Sequence, residues 1–291
     1  MDNPEFCPEY YRDNSAAETV EATRKTIARI HSLDPTGRLV KPIVTPRFAP
    51  SCTHTTSALL KELVNSYTPP LHIQTHISEN TAEVELVRSA FPNSPNYASV
   101  YDQLGLLTRR TILAHGVYLE PEERGLIKAR DAKISHCPVS NSALGSGICP
   151  VRSLLDEGIT VGLGTDVSGG YSPSVLEAVR HACLVSRLRS GPDGGRRTGR
   201  ETISVEEGLY LATRGGAEVV DMADDIGGFE PGMLFDVQLV RLGSGGVGAV
   251  GNVDLFGQES WKEKVHKWVW LGDDRNVQAV WVNGQQVKRR F

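Results

Sequence analysis

The chain has 291 residues, 31 Lys and Arg against 35 Asp and Glu, 40% hydrophobic residues and a formal charge of −4, which excludes a disordered scaffold and gives no electrostatic reason for a nucleic-acid or anionic-membrane partner. The acidic start MDNPEFCPEYYRD lacks the apolar centre of a signal peptide, and the longest stretch without formal charge, 134–151, is too rich in Ser, Asn, Gly and Pro to span a bilayer. Five scattered Cys with no Cys-x-x-Cys pair point to a reducing, cytoplasmic setting rather than a disulfide framework or a thiolate metal site.

In chain order, the apolar runs predict strands over Val40–Phe48, Leu71–Glu79, Thr111–Leu119, Lys133–Asn141 and Ile159–Val167. Helical spacing of Leu and Val predicts helices over Thr55–Ser66 and Thr81–Ala90, with shorter ones over Pro121–Ala129 and Val151–Glu157. Strand alternating with helix implies βα units and a parallel sheet. No GxGxxG turn follows the first strand, which disfavours a dinucleotide-binding sheet. Arg189–Arg200 reads as a mobile Gly/Arg-rich loop, and Ser204 with Glu207 forms a capping box opening a helix to about Val220. Phe235–Val240 and Val277–Val287 read as strands, the second broken by an Asn283-Gly284 hairpin turn, with a Gly-rich connector over Leu242–Val253. The fold class is therefore α/β. It comprises about five of the eight strands of a (β/α)8 barrel over residues 1–222 and a small β appendage over 223–291.

Each predicted strand ends in a polar residue: Arg47, His76 with Glu79, His115, His136 and Asp166. Barrel enzymes carry their chemistry at these C-terminal ends. Alternation places His72, Gln74, His76 and Ser78 on one face of their strand. His76 is a candidate metal ligand through its neutral imidazole, and Glu79 a carboxylate able to move protons. His115 shares a face with Thr111 and Leu113. Asp166 shares one with Gly162 and Gly164, two glycines expected to form a pocket floor beneath the carboxylate. No HExxH helix is present, so the site must be assembled from several strands. His136 is a candidate pocket residue, His72 a hydrogen-bonded core residue, and Cys137 a small buried hydrophobe. His31, His54, His181 and His266 read as structural.

The segments HISEN (76–80), LAHG (113–116), HCPVSN (136–141) and GLGTDV (162–167) resemble the amidohydrolase superfamily of metal-dependent deaminases. ATRGGAEVV (212–220) and GGFEPGMLFDVQLV (227–240) resemble its closing segment. TPRF (45–48), LHIQTHISEN (71–80), LGTDVSGGYSPS (163–174) and LGDDRNV (271–277) are similar to the guanine deaminase family within it. The resemblance implies zinc-assisted hydrolysis of guanine to xanthine and ammonia. It implies His76 and Asp166 as zinc ligands, Glu79 as proton shuttle and His115 as stabiliser of the attacking water. Arg47 and Phe48, with His76 and Glu79, are the implied substrate-binding residues, and the full-length enzyme is expected to be a homodimer. The family's His-x-His pair occurs nowhere in this sequence. The expectation is thus an N-terminally truncated, poorly soluble chain that by itself neither holds stoichiometric zinc nor deaminates guanine. A related deaminase of another aminated ring, or a non-catalytic interaction fragment, are the alternative readings.

Overall fold

The computed structural model describes residues 1–189, 199–243 and 252–289. Most of the Gly/Arg-rich loop over 189–200 and of the connector over 242–253 lies outside the described residues. Ser15 accepts a hydrogen bond from the Glu18 amide at 3.2 Å and opens α1 (Ala16–Leu33), whose inner face is Val20 and Ile27. Then follow β1 (Ile43–Val44), α2 (His54–Asn65), β2 (His72–Ile77), α3 (Thr81–Ala90), α4 (Tyr97–Gln103), β3 (Thr111–His115), α5 (Pro121–Ala129), β4 (Lys133–His136), α6 (Pro138–Ala143), α7 (Val151–Asp156), β5 (Val161–Leu163) and α8 (Val175–Arg189). All five strands pair in parallel in the order β1-β2-β3-β4-β5, with helices in the crossovers. This is a partial (β/α)8 barrel wall, as the sequence predicts.

The strands are shorter than the apolar runs. Backbone polar groups stay paired only while neighbouring strands run side by side, and the runs continue into loops or, for Pro138–Asn141, into α6. One row across the sheet, Thr75–Leu113–Ile134–Val161, is wholly buried. Its Leu113, Ile134 and Val161 pack in one core with Leu60 and Leu63 of α2, Val87 of α3, Ile127 of α5 and Leu154 of α7. Each such buried side chain contributes about 1.5–3 kcal/mol of hydrophobic stabilisation. The adjacent row, His76–Ala114–Ser135–Gly162, begins with the half-buried His76.

The capping box at Ser204 and Glu207 is formed, but the helix it opens stops early. Thr213 leaves helical geometry, so α9 (Val205–Ala212) and α10 (Arg214–Val219) are separate. The appendage comprises β6 (Val237–Val240), α11 (Trp261–Leu271), β7 (Val277–Val282) and β8 (Gln285–Arg289), the three strands forming an antiparallel sheet. Asn283 and Gly284 have φ of 49° and 77°, the pair of positive values a tight hairpin turn requires. α11 is tied to the barrel by Arg180 of α8, which donates to the carbonyls of Val269 and Gly272. All five cysteines are free and buried. Among the described residues no helix is long and apolar enough to cross a membrane.

Candidate metal centre

Three residues at the C-terminal edge of the sheet leave the extended region: Ser78, His115 and Asp166 have φ of 48°, 76° and 47°. Left-handed geometry is unfavourable for a residue with a Cβ and persists only where surrounding bonds impose it. At His115 they do. The amide of Gly116 donates to Ile77 O, and those of Val117 and Tyr118 both donate to Ser78 O, all at 3.0 Å. By register His115 pairs with Ile77, and alternation would put its ring with Leu113 in the core. The left-handed turn brings it instead onto His76, with ring centroids 5.2 Å apart and stacked.

The donor atoms of His76, His115 and Asp166 lie within 4.8 Å of one another. His76 Nδ1 reaches the Arg47 carbonyl at 2.6 Å. Donation to that oxygen fixes the tautomer and leaves Nε2 bare. Burial pushes the His76 pKa below the ordinary imidazole value, so the ring is neutral at pH 7. His115 is fully buried, and its Nδ1 reaches Asn141 Oδ1 at 2.9 Å. Its Nε2 is buried without a hydrogen-bond partner among the described residues, 3.7 Å from Glu79 Oε2 and 3.9 Å from Asp166 Oδ2. A buried nitrogen aimed at two carboxylates and bonded to neither is what a cation between them would explain. Two imidazoles and a carboxylate are a donor set that suits zinc.

His76, Glu79, His115 and Asp166 therefore lie together at this edge. From Arg47 the structure brings the main-chain carbonyl to His76, while the side chain is exposed. Phe48 is half-buried, with its amide bonded to Ser51 Oγ at 3.3 Å. The glycine floor is corrected. A Cβ on Gly162 would meet Val219 and Gly216 of α10, whereas one on Gly164 would meet Ser135 Oγ at 2.6 Å and Cys137 Sγ at 2.9 Å. Cys137 is a buried hydrophobe, its thiol pushed up to about 12 by burial. His136 is buried with neither ring nitrogen bonded among the described residues. His72 is half-buried with Nε2 unpartnered among the described residues, so its expected hydrogen-bonded core role is not seen at that atom.

Three contributors escape the strand-based reading. Asn141 sits on a helix the sequence reads as strand. Ser146 donates to Glu79 Oε1 at 2.9 Å. Gly169 makes room for Asp166, since a Cβ there would lie 2.8 Å from Oδ2. The available signals were the Asn of HCPVSN, the Gly-Ser-Gly at 145–147 and the Gly pair after Asp166.

Known proteins are similar to the chain in sequence and fold. The chain is 49% identical over 280 residues to a probable guanine deaminase of Schizosaccharomyces pombe, covering 96% of this chain and 52% of that one. It is 40% identical over 289 residues to the guanine deaminase of Homo sapiens, covering 99% and 61%. The guanine deaminase of C. acetobutylicum, solved with bound guanine in its active site, superposes with a TM-score of 0.84 at 33% identity, over 99% of this chain and 64% of that one. The chain thus spans about half to three-fifths of these curated relatives' length. The model of the amidohydrolase family matches residues 3–287. With strand-end donors, a parallel barrel wall and a family match over nearly its whole length, the chain belongs to the amidohydrolase family.

Proposed function

We propose that the chain carries metal-binding and proton-handling machinery for the hydrolysis of guanine to xanthine and ammonia. The observation behind this reading is the convergence of His76, His115 and Asp166 within 4.8 Å, with Glu79 Oε2 3.7 Å from His115 Nε2. The names of the relatives and the guanine bound to the C. acetobutylicum protein support guanine as the ring.

His76 and Asp166 would hold a zinc ion, with His115 in reach as a third donor. When bound, the ion supplies Lewis acidity that brings the pKa of water from 15.7 to about 7. Glu79 has one carboxylate oxygen held by Ser146 and the other turned to the site. That free oxygen takes a proton from water, passes it to a ring nitrogen of the purine, and serves the departing amine in the same way. As the water oxygen bonds to the amine-bearing ring carbon, Asp166 would accept the second water proton at the oxygen facing His115 and return it through Glu79 to the amine, whose C–N bond breaks to release ammonia. Arg47, whose carbonyl orients His76, donates from its guanidinium to the purine carbonyl, and Phe48 stacks on the ring. The whole enzyme is proposed to be a cytoplasmic homodimer.

Taken alone, the chain is expected to be a poor enzyme. The Asp166 and Glu79 side chains are 28% and 19% exposed and Arg47 is exposed, so water is not excluded from the charges. Zinc is expected to be substoichiometric as purified and to bind on addition. The test is ammonia release from guanine, adenine, cytosine and a chlorotriazine. It is run with the zinc-supplied chain alone and with the chain fused behind the N-terminal part of the Schizosaccharomyces pombe relative. Guanine turned over fastest by the fusion supports the reading. Faster turnover of another ring contradicts guanine as substrate, and an enzymatic rate in the chain alone contradicts the exposure argument.

A further inference from the structure

Asn141 and Ser146 are both buried, with 2% and 5% of their surface exposed. Both belong to one short segment, Pro138–Gly147, that follows β4. Asn141 Oδ1 accepts from His115 Nδ1, which sends the bare Nε2 toward the carboxylates. Ser146 Oγ donates to Glu79 Oε1, which leaves Oε2 as the oxygen facing that same Nε2. The two hooks are joined within the segment, because the Ser146 amide donates to the Asn141 carbonyl at 2.9 Å. The far side of Ser146 is clamped too: its carbonyl accepts from the Tyr118 hydroxyl at 2.8 Å. Tyr118 lies three residues beyond His115.

The glycines beside Ser146 are part of the device. Gly145 and Gly147 have φ of 69° and 133°, and a Cβ on Gly147 would lie 2.5 Å from the Tyr118 hydroxyl. Only glycine combines that backbone with so close an approach. Ser140 of the same segment lies against the loop that carries Asp166, since a Cβ on Gly169 would be 3.0 Å from its Oγ.

We propose that Pro138–Gly147 is a positioning element, in which Asn141 sets the tautomer and direction of His115 while Ser146 sets which oxygen of Glu79 is free. The functional sense of this inference rests on the deaminase reading, but its test does not. A hydrogen bond from a fixed partner selects one ring tautomer and one carboxylate geometry whether or not metal or substrate is present.

The experiment is NMR on the metal-free 291-residue chain with 15N-labelled histidine rings and 13C-labelled glutamate carboxyls, at one fixed neutral pH. The His115 and Glu79 signals are assigned by their disappearance in His115→Gln and Glu79→Gln. The wild type is expected to show His115 as the Nδ1–H tautomer. Asn141→Leu should lose that tautomer preference, and Asn141→Asp, which keeps the acceptor, should retain it. Ser146→Ala should shift the Glu79 carboxyl resonance, and Ser146→Thr should return it toward the wild-type position. If Asn141→Leu does not fold, Asn141→Ala serves in its place. An unchanged His115 tautomer on loss of the Asn141 acceptor, or an unmoved Glu79 resonance in Ser146→Ala, overturns the proposal. A fusion behind the N-terminal part of the Schizosaccharomyces pombe relative that binds no zinc and deaminates nothing sinks the deaminase reading and leaves these outcomes standing.

Discussion

His76 is oriented by a main-chain oxygen, the Arg47 carbonyl at 2.6 Å from Nδ1, while the Arg47 side chain is exposed. Arg47→Ala keeps the carbonyl and removes only the guanidinium. In the active fusion it should weaken guanine transition-state binding by about 1.5–3 kcal/mol, the scale of a hydrogen bond to a charged group, and leave zinc affinity unchanged. Purine analogues lacking the ring carbonyl should lose much less; an equal loss would make Arg47 a structural residue. His136 offers a test of stability against pH. Burial first, then the neighbouring His115, pushes its pKa down to about 3 from the ordinary 6.5. The unfolded chain then takes up this proton below about pH 6.5 and the folded chain only near 3. The contribution is therefore fully present above 6.5 and lost progressively as pH falls from there toward 3. His136→Leu should lose less stability than the wild type between about pH 7 and pH 4.5 in urea melts. Equal losses would contradict the buried, neutral assignment.

At the scale of the element, β2, β3 and β5 each deliver a site group just where the strand gives way to a left-handed or looped backbone. The loop after β5 is the tightest. Gly169→Ala places a methyl 2.8 Å from Asp166 Oδ2 and 3.0 Å from Ser140 Oγ, so the carboxylate must turn. Zinc affinity should drop by about 10–100-fold, as when the support of a ligand is removed, with little change in circular dichroism. Unchanged affinity would mean that Asp166 is free to move. Alternation made His76 legible, because β2 is regular and buries every second residue. It could not place the His115 ring, because period-two reasoning ends where φ turns positive. The pocket floor failed likewise: Gly162 and Gly164 straddle the end of β5, and only the latter faces Ser135 and Cys137. Helices with thin or small-residue faces also gave little signal. α1 buries only Val20 and Ile27, and α8 buries mainly Ala178, Val179, Ala182 and Cys183. The capping box at Ser204 was readable, but the break at Thr213 was not, since nothing in ATRGGAEVV forbids a continuous helix except its paired glycines.

Across the whole molecule, the sheet has two unlike faces. The Thr75–Leu113–Ile134–Val161 row is sealed under helices, while His72, Gln74 and His76 on the other face of β2 remain half-buried. The core thus lies on one side and the chemistry along the C-terminal edge, where donors from three strand ends meet. Parallel barrel architecture could be inferred from the βα alternation. The meeting of the donors needed coordinates, because it depends on where loops turn rather than on spacing in the sequence. An ion bridging these strand ends binds the folded chain and not the unfolded one, so added zinc should also raise the melting temperature. The most direct test is an equilibrium zinc titration of the 291-residue chain against a chromophoric chelator, run on the wild type, His76→Ala, Asp166→Ala and Glu79→Gln. The prediction is one saturable zinc site per chain in the wild type and in Glu79→Gln, lost in both His76→Ala and Asp166→Ala. No saturable site, a site that survives without His76 and Asp166, or one that vanishes with Glu79→Gln would contradict it.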